Sequence, residues 1–277
     1  PATTRPLSLV NTDNRLFCCA YRMLMEPLIG KLISDLQNGF VTGRKILNNV
    51  MEIDATSMKV SIGEGRGALI LFDFEAAFPS LSQEFLHEIL KRAGLPLHIR
   101  RVVERLYVNN SCNIKLRGET FEGFALESGV RQGCPLSPLL FVLVADLLLR
   151  RLHRKFVQPH NNGHALLRAF ADDTALVIPD FEAAAEDVLN TFEEYAAMSG
   201  LRLNMTKTVL VPLFPCRLTV FVRKTIHEDH PRCKSVTVAH DGTYLGFIIG
   251  PSGLCRQWKK AMVKYTERAT HWASLNL

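Results

Sequence analysis

No stretch of this 277-residue chain reaches the ~18–20 consecutive apolar residues that a membrane-crossing helix needs. The nearest, PLLFVLVADLLL (138–149), is too short and is interrupted by Asp146, so it reads as a helix buried in a protein core. Internal repeats and low-complexity tracts are also missing. The opening PATTRPLSLV has no initiator Met, signal peptide or Arg-rich transit helix and reads as the interior of something longer, so a fragment or an excised domain is expected. The seven cysteines are odd in number and include the adjacent pair Cys18 and Cys19. That is poor disulfide arithmetic and suits a reducing, intracellular compartment, nucleus or cytoplasm. Cys216, His227, His230 and Cys233 offer two thiols and two imidazoles, but their spacing matches no common zinc pattern. Surface histidines beside half-buried thiols are the plainer expectation.

What is present is apolar mass and an uneven charge. A hydrophobic content of 47% is ample for a large core in one or two domains. The net charge of +6 resides in residues 214–277, which hold ten Lys or Arg against four acids, while residues 1–213 carry 23 of each sign. A basic final quarter on a neutral body suggests a polyanion contacted by one end of the molecule, with solvated surface charge as the alternative.

Periodicity places the elements. GALILFDF (67–74) is a buried strand after the turn GEGRG. SLSQEFLHEILKRAG (80–94) reads as a helix with Ser80 and Gln83 as a capping box, Phe85, Leu86, Ile89 and Leu90 on one face, and Gly94 as the stop. A second helix follows Pro96 with Ile99, Val102, Val103 and Leu106 inward. CNIKLRG and ETFEGFAL (112–126) alternate as a hairpin, and 138–153 is the long buried helix. LLRAF and TALVI form a tight hairpin across Ala171, Asp172 and Asp173. Residues 180–200 form an amphipathic helix with Asp180 and Gly200 as caps and Phe181, Ala184, Val188, Phe192 and Tyr195 inward. Short strands are predicted through 207–249 and a basic helix over 256–272. The sum is an α+β fold, its sheet mostly antiparallel with helices on one face.

Two adjacent carboxylates inside LLRAFADDTALVIPD (166–180) need an explanation, because buried like charges are costly. They can share a proton, pair with Arg or Lys, or bind a cation. Arg168 is badly placed to pair across the turn, and a divalent metal would keep both acids ionised. Asp73, at the end of another apolar strand in FDFEAAF (72–78), could supply the other half of such a site. Carboxylates with open positions suit Mg²⁺, and two ions could clamp the attacking and leaving oxygens of a phosphoryl transfer. The competing reading is that these acids cap turns.

SGVRQGCPLSPLLF (128–141), taken in order with LFDFEAAF and FADDTALV, resembles a reverse transcriptase of the LINE-type (non-LTR) retrotransposon class. The likeness runs from TRPLSLVN (4–11) and QNGFVTGR (37–44) through GLRLNMTK (200–207) to YLGFIIG (244–250). It implies a right-hand polymerase: fingers and palm over 1–250, with the palm core about 66–79 and 126–250, and the start of a basic thumb helix over 251–277. By this resemblance Asp73, Asp172 and Asp173 hold two Mg²⁺ ions (Mn²⁺ as a substitute), with the Phe74 carbonyl as a further ligand. Phe78 packs under the incoming sugar and selects deoxynucleotides. Gln132 and Gly133 lie against the nascent pair, Ser137 and Pro138 begin the palm helix, and Arg5 grips the triphosphate. Arg44 contacts template or phosphate, and Lys207 stands near the leaving pyrophosphate as a catalytic proton donor. Tyr244, Leu245 and Gly246 grip the primer, and Lys259 and Lys260 on the basic helix track the duplex. The implied partners are an RNA template, a DNA primer and dNTPs, with no membrane. Pro79 and Ala76 depart from the pattern, standing where many relatives carry Asp and Lys. A nucleic-acid-binding domain that has lost the chemistry is the rival expectation.

Overall fold

The structure, a computed structural model, describes residues 10–63, 65–160, 163–251 and 256–274, and leaves the Lys260 side chain undescribed. Two helices come first, α1 (Thr12–Leu32) and α2 (Ile46–Ile62), then strand β1 (Ala68–Phe72) and the short α3 (Ala77–Ser80). Helices α4 (Gln83–Arg92) and α5 (Leu97–Tyr107) lead into an exposed hairpin, β2 (Ser111–Leu116) and β3 (Glu119–Ala125). The long α6 (Ser137–Leu152) is followed by the hairpin β4 (Leu166–Phe170) and β5 (Asp173–Ile178), α7 (Phe181–Ser199) and β6 (Val209–Pro212). A small helix α8 (Leu218–Phe221), strand β7 (Thr237–Val238), the hairpin β8 (Gly242–Tyr244) and β9 (Phe247–Ile249), and α9 (Lys259–Ser274) complete the order.

The central sheet runs β4-β5-β1-β6-β7, antiparallel except for the β6–β7 pair. β1 reads ALILF and is buried at every position, which a strand requires when both of its faces are covered. Ile70, Phe72, Leu176, Ile178 and Leu210 face a core built from α6 and α7, including Leu140, Phe141, Val188 and Phe192. Tyr195 ties those two helices by donating to the Val144 carbonyl at 2.6 Å. Leu69, Leu71, Ala175, Val177 and Val211 face a second core with Val50 and Ile53 of α2 and Tyr244 and Ile249 of the β8–β9 hairpin.

That second layer corrects the expected one-sided sheet. The apolar positions of α2 supply the missing cover. A further correction concerns 207–249, which is not all strand. Leu218–Phe221 is helical and continues as a wider, π-helical coil to Asp229. Its β-branched residues read as a strand, but burial of Phe221 and Ile226, with Phe221 beside Phe181 of α7, overrides that local preference. The cap of α4 also moves: Ser82, not Ser80, accepts from the Phe85 amide, and Gln83 donates instead to the Gly129 carbonyl. The helix over 181–199 has the expected caps, with Asp180 accepting from the Ala183 amide and Gly200 left-handed.

Candidate active site

β1 and β5 pair antiparallel with Phe72 opposite Thr174. Continuing that register by one residue sets Asp73 against Asp173. The pleat puts Asp73 on the side of Leu69 and Leu71, and Asp173 on the side of Ala175 and Val177, so both acids lie on one face. Asp172 sits beside them in the two-residue turn between β4 and β5, where Phe170 pairs with Asp173. Three acids separated by about a hundred residues of chain thus meet at one edge of the sheet. Asp73 and Asp172 are half-buried and Asp173 is exposed.

The neighbouring backbone is accounted for. The Asp73 carbonyl accepts from the Asn204 amide at 2.7 Å, while Phe74 bridges to Leu203. Strand alternation then turns the Phe74 carbonyl to the opposite side, that of the β4–β5 hairpin. Lys207 Nζ lies 4.0 Å from Asp73 Oδ2, which brings the predicted lysine to the acids. Arg168 pairs with Glu52, away from the turn.

The turn and the strand before it are held by Gln37, Gly39 and Asn49, which sequence reasoning did not assign to the site, and by Tyr244, which it did. Ala171 has φ +59°, the left-handed region that L-residues seldom enter. Gln37, fully buried, accepts from the Ala171 amide at 2.8 Å and donates to the Ala171 carbonyl at 3.0 Å. A Cβ on Gly39 would stand 2.2 Å from the Ala171 nitrogen. Asn49 Nδ2 donates to the Ala169 carbonyl at 2.9 Å and to the Tyr244 hydroxyl at 3.1 Å, which donates in turn to the Arg168 carbonyl at 3.2 Å. The signal available beforehand for Gln37 and Gly39 was the order of small and amide residues in QNGFVTGR, and Asn49 lies beyond it.

Arg44, expected to contact template or phosphate, is turned inward in the structure. Its guanidinium donates to the carbonyls of Ile33, Ser34 and Gln37, and it pairs with Asp35. The buried Asp146 of α6 accepts from the Ser34 amide and hydroxyl and from Arg150. This explains a carboxylate in an otherwise apolar helix: it anchors the segment that reaches the aspartate turn.

On the other side, Phe78 stacks on Phe141 with ring centroids 4.7 Å apart. The loop before α6 docks beside it, Val130 donating to the Phe78 carbonyl and Gly129 to the Leu81 carbonyl. Gly133 has φ +103°, so a glycine is required at that bend, and Gln132 next to it is half-buried. Ser137 opens α6 with Pro138 in its first turn, and the Ser137 hydroxyl lies 3.2 Å from that of Tyr107.

Leu245 and Gly246 both have positive φ and form the two-residue tip of the β8–β9 hairpin, a geometry that needs left-handed residues at both central positions. Tyr244 differs from expectation. It is buried, its hydroxyl is engaged by Asn49 and Arg168, and its pKa is raised by burial and then by the Asp173 charge. The side chain anchors the hairpin. Lys259 is exposed at the start of α9, whereas Arg5 and the Lys260 side chain lie outside the described residues.

Among the described residues, no three His, Cys, Asp or Glu side chains are arranged as they stand to hold a metal ion. Cys233 is buried and its thiol is pushed up to about 11 by that burial, and His230 Nδ1 lies 3.9 Å from Glu186. No helix of the described residues is long and apolar enough to cross a membrane.

Residues 1–249 match the family described as reverse transcriptase (RNA-dependent DNA polymerase). The chain belongs to that family. It is 30% identical over 74% of its length to a transposon TX1 protein of 149 kDa from Xenopus laevis. It is 26% identical over 91% of its length to a Pol polyprotein from the retrotransposable element R2 of Nasonia vitripennis. It spans 16% of the first relative and 25% of the second. Telomerase from Candida albicans, solved with a fragment of telomeric RNA, superposes with a TM-score of 0.60 at 14% identity, covering 85% of this chain and 37% of that one. Apo telomerase from Candida tropicalis gives 0.59 at 13% identity, covering 84% and 39%. The architecture is therefore the palm-and-fingers polymerase fold. The family generally uses divalent metal ions.

Proposed function

We propose that this chain is the fingers-and-palm portion of a retroelement polyprotein of the non-LTR class and extends a DNA primer with dNTPs on an RNA template. The observation that carries the reading is the meeting of Asp73, Asp172 and Asp173 at one sheet edge with Lys207 alongside. Three hard carboxylate donors on adjacent strands, with the Phe74 carbonyl turned toward the same hairpin, fit a divalent cation such as Mg²⁺ better than a soft metal. Bound there, two such ions would supply charge stabilisation for phosphoryl transfer.

The chain's own residues have separable tasks in this reading. Asp73, Asp172 and Asp173 hold the cations. Phe78, fixed by its stack on Phe141, forms the floor under the sugar and leaves no room for a 2′-hydroxyl. Gln132 and the bend at Gly133 face the nascent pair. Lys207, exposed and next to Asp73, holds a proton near the leaving group. The tip at Leu245 and Gly246 presses the primer strand, and Arg5 grips the triphosphate. Residues 1–250 then make fingers and palm (palm core about 66–79 and 126–250), and 251–277 begin the thumb, where Lys259 and Lys260 follow the duplex backbone by charge.

Primer extension on poly(rA)/oligo(dT) with Mg²⁺ tests the reading. Incorporation is expected from the wild type and a loss of at least a hundredfold from Asp172→Asn. Incorporation unchanged by that substitution refutes the assignment. Salt-dependent RNA binding with no metal-dependent incorporation replaces it with a binding domain.

A further inference from the structure

We propose that Gln37 is a positioning residue for the aspartate turn, gripping both backbone polar groups of Ala171 so that Asp172 and Asp173 are presented together beside Asp73. The inference rests on the polymerase reading above and adds a residue, far away in sequence, that sets its geometry. Gln37 is 0% exposed, and its amide makes three hydrogen bonds. Oε1 accepts from the Gly39 and Ala171 amides at 2.8 Å each, and Nε2 donates to the Ala171 carbonyl at 3.0 Å. Two of the three go to one residue, 134 positions away, immediately before the first aspartate. That residue is an alanine at φ +59°, a conformation that persists in a non-glycine residue where the surroundings hold it.

The chemistry of the side chain is specific. A neutral amide offers an acceptor and a donor at once. A carboxylate here would face the Ala171 carbonyl and add negative charge next to three acids; an ammonium would leave the Ala171 amide without its acceptor. The gripping segment is itself immobilised. Asn38 donates to the Ala169 carbonyl at 2.8 Å, and Ala169 to the Leu36 carbonyl at 2.8 Å. Arg44 holds the carbonyls of Ile33, Ser34 and Gln37, and Asp146 of the palm helix holds Ser34. Displacement of Gln37 therefore passes to the turn and cannot be absorbed by a loose loop. The neighbouring residues hold β4 at Ala169, and the Gln37 side chain itself falls on the turn.

Gln37→Met, similar in length but without hydrogen-bonding groups, and Gln37→Glu, which keeps the acceptor and loses the donor, test the idea in the whole chain. Three readouts apply: hydrogen exchange in peptides spanning 166–178, Mn²⁺ affinity without nucleic acid, and the Mg²⁺ dependence of primer extension. In Gln37→Met the turn amides should exchange at least tenfold faster, Mn²⁺ should bind about tenfold more weakly, and half-saturating Mg²⁺ should rise by a similar factor while KM for dTTP stays within twofold. Gln37→Glu should protect the turn better than Gln37→Met and still bind Mn²⁺ less tightly than the wild type. If Gln37→Met does not fold, Gln37→Glu alone decides: wild-type Mn²⁺ affinity in that variant overturns the proposal. Wild-type exchange and affinity in both variants, on a protein that extends primers, refute the role of Gln37 alone. A wild type that binds Mn²⁺ but extends nothing refutes the polymerase reading and, if exchange and affinity shift as stated, sustains Gln37 as the residue that positions the turn.

Discussion

Gly39→Ala is the most exacting perturbation that the structure offers. Gly39 is buried, and its φ lies outside the left-handed region, so alanine suits its backbone and the effect is steric. The added methyl would stand 2.2 Å from the Ala171 nitrogen, 2.9 Å from the Phe170 carbonyl carbon and 3.0 Å from the Ala171 Cα. All three are backbone atoms of the aspartate turn, and none can rotate away. Carbon contacts are comfortable at about 3.5 Å or more, so turn and segment must separate by roughly 1 Å. Overpacking of this kind costs up to about 3 kcal/mol. At about 2–4 °C per kcal/mol for a protein of nearly this size, the Tm should fall by up to about 6–12 °C. A shift of that size at the acids should also cost primer extension on the order of a hundredfold. Gly30→Ala is the control with the opposite sign: it lies within α1, its Cβ would meet only Val41 Cγ1 at 3.9 Å, and it should stabilise by up to about 1 kcal/mol. Differential scanning calorimetry and primer extension on both variants read the outcome. A Gly39→Ala protein with unchanged Tm and unchanged incorporation would refute the close approach and the transmission argued from it.

Three further outcomes are expected. Phe78→Val should narrow discrimination between dTTP and UTP by at least tenfold, measured by kcat/KM for each, with little effect on binding of primer–template. Arg44→Lys replaces a fork that spans three carbonyls by a point charge and should destabilise by about 2 kcal/mol, seen in urea unfolding. Because the side chain is directed inward, the charge-removing Arg44→Gln should leave the salt slope of RNA binding unchanged, whereas loss of a phosphate contact would lower it by about one. His87 lies between α4 and α5 with its pKa lowered below 6.5 by burial, partly offset by Glu104. Its contribution is present above pH 6.5 and is lost as pH falls toward the folded-state pKa, so Tm should drop between pH 7 and 5.5, and His87→Gln should flatten that drop.

Strands, helices and the three acids were legible because each carries a local signature. ALILF is apolar at every position, α7 has caps at both ends, and FADD places charge where the apolar pattern breaks. Gln37 and Asn49 carry no such signature. A buried amide looks like any polar residue until the partner carbonyl, more than a hundred positions away, is brought to it. Arg44 and Tyr244 illustrate the reverse case. Both residue types are common in contacts with nucleic acid, and only the fold shows the guanidinium and hydroxyl set against backbone carbonyls. The coil after Leu218 departs from the expected strand because its β-branched residues favour strands in isolation, and burial of Phe221 and Ile226 outweighs that preference.

The pattern around the turn has a common logic. Groups that fix its backbone are neutral: the amides of Gln37 and Asn49 and the hydroxyl of Tyr244. The nearby arginines are engaged elsewhere, Arg168 with Glu52 and Arg44 with carbonyls of the preceding loop. A guanidinium used as the clamp would leave the Ala171 amide without its acceptor, and it would form bidentate bonds to the carboxylates and compete with any cation for the same oxygens. Neutral donors and acceptors separate the two demands, rigidity from the amides and charge from the acids. Buried amides demand full satisfaction, so this solution obliges the chain to bring Gln37 and Asn49 to the turn from outside the hairpin. The early segment 33–49 is thereby as much a part of the site as the strands that carry the aspartates.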